Sequence, residues 1–317
     1  MIIVHARQGT RMVEHTGLEV LQQLPLKEVV WVDLVAPSEA EIRATETFIG
    51  TELMTPTEAA EIESSSRYFE EPPAEFQLNT HFLLIADHGW RTEPVTFALR
   101  NHVLVTRRNG PLHSFTELAR RRTLSAHVEW TGFDTFIALF DLCIDDDADL
   151  VEHLSREILL LNKAINLNTS VGKDLLLRID ELLDKAMLMR ANIVDKQRTL
   201  GAVHKYEGIP DEHHRGLHTL LKDIDSLLEH ISFGFERLEF LQNTALGLVN
   251  IDQNKVIKIF TVATVIFMPP TLIASIYGMN FHHMPEVHHP LGYPLSIALM
   301  VLSSVGSLLI FRRKGWL

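Results

Sequence analysis

Two long apolar runs near the end of this 317-residue chain constrain its architecture more than any other feature. The first, residues 259–277, has no ionisable side chain except Tyr277 at its end, and the second, residues 295–311, has none. A helix that crosses the roughly 30 Å hydrocarbon core of a membrane needs about 20 such residues. Two apolar runs at one end of an otherwise charged chain do not resemble the buried helices of a globular core. The sequence therefore predicts two transmembrane helices.

The charged side chains are distributed unevenly along the sequence. Lys and Arg total 29 and Asp and Glu total 41, for a formal net charge of −12. From Lys255 onward there are five basic residues and one acid, so residues 1–254 hold 24 basic and 40 acidic side chains, a net charge of −16. This acidity argues against a nucleic-acid partner. The single cysteine, Cys143, excludes a disulfide scaffold and a four-thiolate zinc site.

The cations that flank the apolar runs predict the orientation of both helices. Two precede the first run and three follow the second: Lys255, Lys258, Arg312, Arg313 and Lys314. The connecting residues 278–294 contain no Lys or Arg. By the positive-inside rule, both termini lie in the cytoplasm and the connection lies outside. The N-terminus lacks the charged start and apolar core of a signal peptide, so a cytoplasmic part of about 250 residues is expected.

One face of the first run carries hydroxyl groups and a thioether at helical spacing: Thr261, Thr264, Met268, Thr271 and Ser275. Extended backward, this stripe reaches Ile257 and Asn254. Two helices cannot enclose a polar path through lipid, so transport requires several copies around an axis. The stripe then lines the path, although contact between membrane helices is the alternative use of such residues. Pro269 and Pro270 are expected to bend the helix or loosen its hydrogen bonding.

Neither run contains an Asp, Glu, Lys, Arg or His. A proton-coupled carrier usually needs an ionisable group at membrane depth, so a channel-like path driven by the membrane potential is favoured. For a divalent cation that drive is about 4.6 kcal/mol per 100 mV.

The first third of the chain mixes strand and helix signals. Five segments rich in Val, Ile, Phe and Thr are predicted as strands: residues 1–5, 29–33, 76–86, 95–100 and 102–107. Capping boxes at Ser38 with Glu41 and at Thr55 with Glu58 predict two helix starts between them. Together these signals predict an α/β layer. With no Gly-rich phosphate loop, no nucleophile elbow and no catalytic spacing of His, Ser and Asp, the chain is not expected to be an enzyme.

From Phe133 onward the pattern is helical. Apolar residues at spacings of three and four continue to Ile165, a second helix covers residues 175–200, and residues 201–210, with two Gly and one Pro, predict a break. A third pattern starts near Leu217 and continues without proline to Pro269. If it joins the first apolar run, about 60 residues form a rod of roughly 90 Å. The acidic run at residues 145–149 is expected at a solvated helix end.

The end of the first apolar run carries Gly-Met-Asn at residues 278–280. Together with its surroundings, this motif resembles the CorA-type magnesium transporter family, most closely its enterobacterial type. The supporting segments are residues 31–34 (WVDL), 62–68 (IESSSRY), 254–260 (NKVIKIF), 268–272 (MPPTL), 284–286 (MPE), 292–294 (GYP) and 314–317 (KGWL).

The resemblance implies an α+β membrane protein that assembles as a homopentameric funnel. A cytoplasmic α/β domain and a long helical stalk continuous with the first of two C-terminal transmembrane helices are expected in each subunit. The predicted divisions are an α/β domain (1–132), a cytoplasmic helical hairpin (133–212), a stalk (213–258), a pore-lining helix (259–278), an external loop with the filter (279–293), and a second transmembrane helix with a basic tail (294–317). A bacterial inner membrane is the implied location.

The family's functional residues carry over to matching positions. Gly278, Met279 and Asn280 would form the selectivity filter, in which amide oxygens meet an ion that sheds its waters reluctantly. Glu286, the one acid of the outer loop, would concentrate cations there. Rings of Ile257 and Phe260 are gate candidates through exclusion of water, with interhelical packing as the alternative. An inhibitory cation between subunits would use Asp87 and either Asp223 or Asp225. Mg²⁺ is thus expected as substrate and regulatory ligand, with no other cofactor.

Two other functions stay open at this point. A transporter for Co²⁺, Ni²⁺ or Zn²⁺ would keep the same architecture, and the outer-loop histidines at positions 282, 283, 288 and 289 favour it. Met279 favours magnesium, because the zinc-transporting branch tends to differ there. A membrane-anchored helical scaffold or sensor without conduction is the third possibility, against which the hydroxyl stripe and Asn280 speak.

Overall fold

The computed structural model describes residues 1–9, 11–55, 68–71, 75–86, 89–124, 130–167, 173–206, 209–279, 284 and 289–315. It divides into two compact units. The first consists of Met1–Leu167 and Asp174–Leu241, and the second of Asn168–Lys173 and Gln242–Leu317.

Seven strands of the described residues form one sheet in the first unit, in the order β2-β1-β3-β7-β6-β5-β4. They are β1 (Ile2–Gln8), β2 (Arg11–Thr16), β3 (Val29–Val35), β4 (Tyr68–Glu71), β5 (Glu75–Ala86), β6 (Gly89–Arg100) and β7 (Val103–Arg108). β3 and β7 are parallel, and every other neighbouring pair is antiparallel. The five predicted strands are confirmed, whereas β2 and β4 were not predicted.

Short helices accompany this sheet: α1 (Val20–Gln23), a 3₁₀ turn (Leu26–Glu28), α2 (Glu39–Ile49) and α3 (His113–Leu124). The predicted capping box at the start of α2 is confirmed, since the Ser38 hydroxyl accepts from the Glu41 N–H and the Glu41 carboxylate accepts from the Ser38 N–H. The other predicted box, at Thr55 and Glu58, extends beyond the described residues.

A buried polar network joins β3 to β7 and explains the motif at residues 31–34. The Trp31 indole N–H donates to the Thr106 hydroxyl at 2.8 Å, and that hydroxyl donates to Asp33 at 2.8 Å. Arg108 Nη2 lies 2.7 Å from the Asp33 carboxylate, and its guanidinium stacks over Phe115 of α3. Each buried charge therefore has a charged partner and further hydrogen bonds, as burial requires.

Two long helices follow the sheet: α4 (Gly132–Leu167) and α5 (Lys173–Lys205). The predicted apolar stripe of α4 is buried at each of its positions from Leu139 to Ile165. Gly132 starts α4 directly against β7, where a Cβ atom would lie 2.5 Å from the His102 carbonyl oxygen. Only glycine fits this close approach without a shift of the backbone.

The structure corrects the expectation that the acidic run at residues 145–149 lies at a helix end. It lies in the interior of α4 rather than at a helix end, and Asp147 is 2% exposed. Its carboxylate lies 2.6 Å from the ammonium group of Lys196 on α5, a side chain that is fully buried. Because a distant lysine neutralises it, Asp147 belongs to the core, while Asp145 and Asp149 are exposed as expected.

The predicted break at residues 201–210 begins too early. α5 continues to Lys205 and the next helix, α6, begins at Asp211. Leu200 and Val203 are fully buried and Tyr206 is buried, so the apolar face continues past Gly201. This packing outweighs the helix penalty of one glycine, which is about 1 kcal/mol.

α6 (Asp211–Tyr277) runs as one helix of 67 residues, with Pro269 and Pro270 inside it. It passes from the first unit into the second and includes the whole first apolar run, which confirms the predicted continuity. α7 (Gly292–Arg313) contains the second run. Among the described residues, α6 and α7 are the two helices long and apolar enough to cross a membrane. The predicted architecture of each chain is thus confirmed.

Candidate ion path along the first apolar helix

The hydroxyl stripe of α6 is uncovered in the single chain. Thr261, Thr264, Met268, Thr271 and Ser275 are all exposed. Toward the N-terminus the exposure continues through Phe260 (69%) and Ile257 (61%) to Asn254. The structure therefore places the predicted path residues on one uncovered part of the same helix.

The opposite face of this helix is partly covered. Val262, Ile266, Pro269, Ile273 and Tyr277 are half-buried and recur at spacings of four and three. With 3.6 residues per turn, they lie about half a turn away from the hydroxyl stripe. The Ser304 hydroxyl of α7 donates to the Ile266 carbonyl at 3.3 Å, which places α7 on the half-buried face. Packing of the two apolar helices thus leaves the stripe uncovered.

Two stripe hydroxyls donate hydrogen bonds to carbonyl oxygens of the same helix. Thr261 donates to the Ile257 carbonyl at 2.8 Å, and Thr271 donates to the Phe267 carbonyl at 2.6 Å. Since a hydroxyl also has two acceptor lone pairs, each oxygen keeps capacity to accept from outside the helix. The water molecules around a cation direct their hydrogens outward, so this face offers the acceptors that a hydrated cation needs.

The helix ends where the Gly-Met-Asn motif begins. The Gly278 N–H donates to the Ala274 carbonyl at 2.9 Å, and the Met279 N–H donates to the Ile276 carbonyl at 3.3 Å. Gly278 does not adopt a left-handed backbone. The Met279 side chain is 46% exposed.

Several predicted site residues lie outside the described residues. These are Asn280 of the filter, Glu286 of the outer loop, His282, His283 and His288, and the regulatory candidate Asp87. His289 is described and exposed, and its Nδ1 accepts from the Leu291 N–H at 3.2 Å.

The two remaining regulatory candidates lie on the exposed surface of α6. Asp225 accepts from Gln197 of α5 at 2.6 Å. Asp141 of α4 is near both Asp145 and Asp223: partial burial raises the pKa of Asp141, and the charges of Asp145 and Asp223 raise it further against the opposing effect of Arg121. Asp141 thus connects Asp223 of α6 with Asp145 of α4.

Sequence reasoning missed Asp141 and Asp145 as members of this group. Their spacing of four places both on one face of α4, which was the available signal. Among the described residues, no three His, Cys, Asp or Glu side chains converge tightly enough to hold a metal ion by direct coordination. The three aspartates therefore form a loose electronegative group in the single chain.

Comparison with known proteins decides the family. A family model described as CorA-like Mg²⁺ transporter protein matches residues 27–313. The chain belongs to the CorA-like Mg²⁺ transporter family. The resemblance drawn from the motifs is confirmed.

Two curated CorA relatives match nearly the whole chain. The magnesium transport protein CorA of Wolinella succinogenes is 37% identical over 294 residues, covering 91% of each protein. The protein of the same name from Escherichia coli K12 is 34% identical over 304 residues, covering 95% of this chain and 96% of its own.

A solved CorA structure shares the fold. The complete structure of the CorA magnesium transporter from Methanocaldococcus jannaschii superposes with a TM-score of 0.82 at 19% identity, covering 100% of this chain and 99% of that one. At this identity the likeness shows the fold alone.

Proposed function

We propose that this protein transports Mg²⁺ across a membrane through a path that several copies of α6 form together. One observation carries the proposal: the hydroxyl stripe from Thr261 to Ser275 is uncovered and leads directly to Gly278, while α7 packs on the other face. The relatives named magnesium transport proteins support the choice of ion.

The assembly is proposed to be a homopentamer with lipid around it. Two apolar helices per chain cannot surround a polar path, so the stripe needs equivalent neighbours about an axis. The same geometry argues against a non-conducting scaffold. An isolated membrane anchor has no use for a long uncovered face of hydrogen-bond acceptors. The divisions predicted at residues 132, 212, 258, 278 and 293 are kept as the proposed domain boundaries.

The path is proposed to run from an outer filter to an inner hydrophobic gate. Gly278, Met279 and Asn280 form the filter, with Glu286 attracting cations outside it. Ile257 and Phe260 form apolar rings that exclude water in the closed state, and Asn254 lies one turn below. The exposure of Ile257 and Phe260 in the single chain supports a role that faces the axis.

The proposed setting is the bacterial inner membrane with both termini in the cytoplasm. Lys255 and Lys258 before the first span and the basic residues after the second support this orientation. The interior-negative potential then draws a divalent cation inward with about 4.6 kcal/mol per 100 mV. Neither bond chemistry nor a further cofactor is needed for this activity.

Cytoplasmic Mg²⁺ is proposed to close the path. We extend the regulatory set Asp87, Asp223 and Asp225 with Asp141 and Asp145, since Asp141 interacts with Asp223 on one side and with Asp145 on the other. A cation between neighbouring subunits would neutralise these carboxylates, and its loss would let them repel and loosen the ring.

The function is tested by Mg²⁺ flux into proteoliposomes that contain the full chain and an Mg²⁺-sensitive dye. We expect potential-driven uptake that hexaammine cobalt, a mimic of the hydrated ion, inhibits. Asn280→Ala should abolish it, and Asn254→Ala serves as a matched amide substitution at the other end of the path. Flux of Co²⁺, Ni²⁺ or Zn²⁺ without Mg²⁺ would favour the alternative ions. No flux of any of these ions would favour the scaffold, and unchanged flux in Asn280→Ala would reject the filter.

The regulatory proposal is tested separately in the same vesicles. Mg²⁺ on the side of the acidic unit should inhibit the wild type. Neutralisation of Asp141, Asp145 and Asp223 together should relieve that inhibition. Unchanged inhibition would reject this assignment while leaving the transport proposal intact.

A further inference from the structure

An open groove of 810 Å³ lies within the first unit, between the sheet and two long helices. His81 of β5 and Thr92 of β6 form one wall, α5 contributes lining residues from Met187 to Arg198, and Phe235 of α6 completes it. The volume lies in the range of about 300–1,000 Å³ that is typical of ligand sites. Its described lining residues belong neither to the proposed ion path nor to the proposed regulatory group.

Two arginines make this groove basic within an acidic part of the chain. Arg190 and Arg198 of α5 are exposed and line the groove, and within the described part of the chain neither side chain has an ion pair or a hydrogen bond. Arginines elsewhere in the first unit, such as Arg108, Arg120 and Arg178, pair with carboxylates. Two guanidinium groups without a carboxylate partner in so acidic a region favour an anionic ligand.

The carboxylate that lines the groove is already engaged by the sheet. Asp195 accepts from the Thr80 hydroxyl at 3.1 Å and from the His81 N–H at 3.3 Å. The same oxygen lies 3.3 Å from His81 Nδ1. These contacts direct the carboxylate toward β5, so the two arginines keep their donors for a ligand.

The spacing of the arginines indicates the size of that ligand. Arg190 and Arg198 are eight residues apart, which separates their backbones by about 12 Å along α5. Ala191 and Val194 lie between them and line the same groove. A single phosphate is shorter than this separation, whereas a chain of phosphates can contact both guanidinium groups. Arginine suits such a chain because its planar fork binds two phosphate oxygens at once.

The remaining surface of the groove is apolar. Met187 is 55% exposed, and Leu188, Val194 and Phe235 are half-buried. An aromatic side chain offers a face on which any nucleobase can stack. The flexible thioether of a methionine adapts to ligands of varied shape. A polyphosphate that carries a flat ring system therefore matches both parts of the groove.

We propose that this groove binds a nucleoside polyphosphate. Its phosphates contact Arg190 and Arg198, and its base packs against Phe235 beside Met187. Occupancy would connect β5, α5 and α6 within one chain. The proposal is independent of the transported ion, since every residue of the site lies in the first unit.

The test is isothermal titration calorimetry of the full chain in detergent with ATP, in EDTA so that no Mg²⁺ occupies the phosphates. We expect one ATP per chain. Arg190→Gln and Arg198→Gln should each weaken ATP binding by about tenfold, the effect of losing one charged hydrogen bond. Phe235→Leu should weaken ATP binding by about fivefold. It should leave the affinity for inorganic triphosphate unchanged, because triphosphate has no base.

Arg215→Gln is the matched control, because Arg215 is an exposed arginine of α6 outside the groove, and it should keep wild-type affinity. Without ATP, the three arginine variants should unfold at the wild-type temperature, since the side chains that they replace are exposed. Loss of ATP binding then reports the site rather than the fold.

Four results would overturn the proposal. They are no binding of ATP, wild-type affinity in both groove-arginine variants, equal affinity of the wild type for ATP and triphosphate, or a changed number of subunits in those two variants. The last result, measured by light scattering, would mean that the arginines pair with a second copy of the chain. Calorimetry needs no flux, so a failure of the transport proposal would remain distinct from a failure of this one.

Discussion

The Ser304 hydroxyl donates to the Ile266 carbonyl across the two apolar helices, at 3.3 Å. Ile266 lies four residues before Pro270, which has no N–H to donate back to it. In hydrocarbon an unsatisfied backbone carbonyl costs several kcal/mol, and a hydroxyl from a neighbouring helix can replace the missing donor. Ser304 therefore compensates for Pro270 and joins α7 to α6.

Loss of this hydroxyl should weaken the pairing of the two helices. We expect Ser304→Ala to destabilise the protein by about 0.6–1.7 kcal/mol, the range for hydrogen bonds between membrane helices. Thermal unfolding of the purified protein in detergent measures the change. Ser303→Ala is the matched control, because that hydroxyl donates within α7 to the Met300 carbonyl.

A double-mutant cycle isolates the role of the proline. In the Pro270→Ala background the backbone regains an N–H for Ile266, so Ser304→Ala should then cost little. Equal losses with and without Pro270, or equal losses for Ser303 and Ser304, would contradict the compensation.

The features predicted correctly depend on signals within one element. The α4 stripe from Leu139 to Ile165 follows helical periodicity, and the Ser38 capping box spans three residues. The hydroxyl stripe could be predicted for the same reason, since all its members share one helix.

The features that were missed depend on contacts between distant segments. Asp147 became a core residue only because Lys196, 49 positions away, pairs with it. The grouping of Asp223 with Asp141 requires the register of α6 against α4, and the Ser304 bond requires that of α7 against α6. Local propensity does not encode these registers, and at Gly201 tertiary packing overrides it.

The buried Lys196 and Asp147 pair predicts an asymmetric response to substitution. Lys196→Met leaves a buried carboxylate without its cation and should cost about 3–5 kcal/mol, whereas Lys196→Met combined with Asp147→Leu should cost less. Lys185→Met is the matched control on α5, because its partners Glu157 and Glu181 are nearer the surface; about 1 kcal/mol is expected. Thermal or urea unfolding of the full chain measures all three. A double variant less stable than Lys196→Met would contradict the prediction.

Cys143 is the one thiol of the chain and should report unfolding of the first unit. It is 2% exposed, and burial raises the pKa of its thiol above the ordinary 9.0. The reactive species is the thiolate, so iodoacetamide at pH 8 should label the native protein at least about 100-fold more slowly than the unfolded protein. Ser226→Cys in a Cys143→Ala background places an exposed thiol on α6 and should react at once.

The buried thiol also predicts a pH dependence of stability. In the folded state Cys143 retains its proton, while in the unfolded state its thiol loses the proton above pH 9. Stability should therefore fall with rising pH above pH 9, and less steeply in Cys143→Ala. Rapid labelling of native Cys143, or equal pH slopes, would contradict its burial.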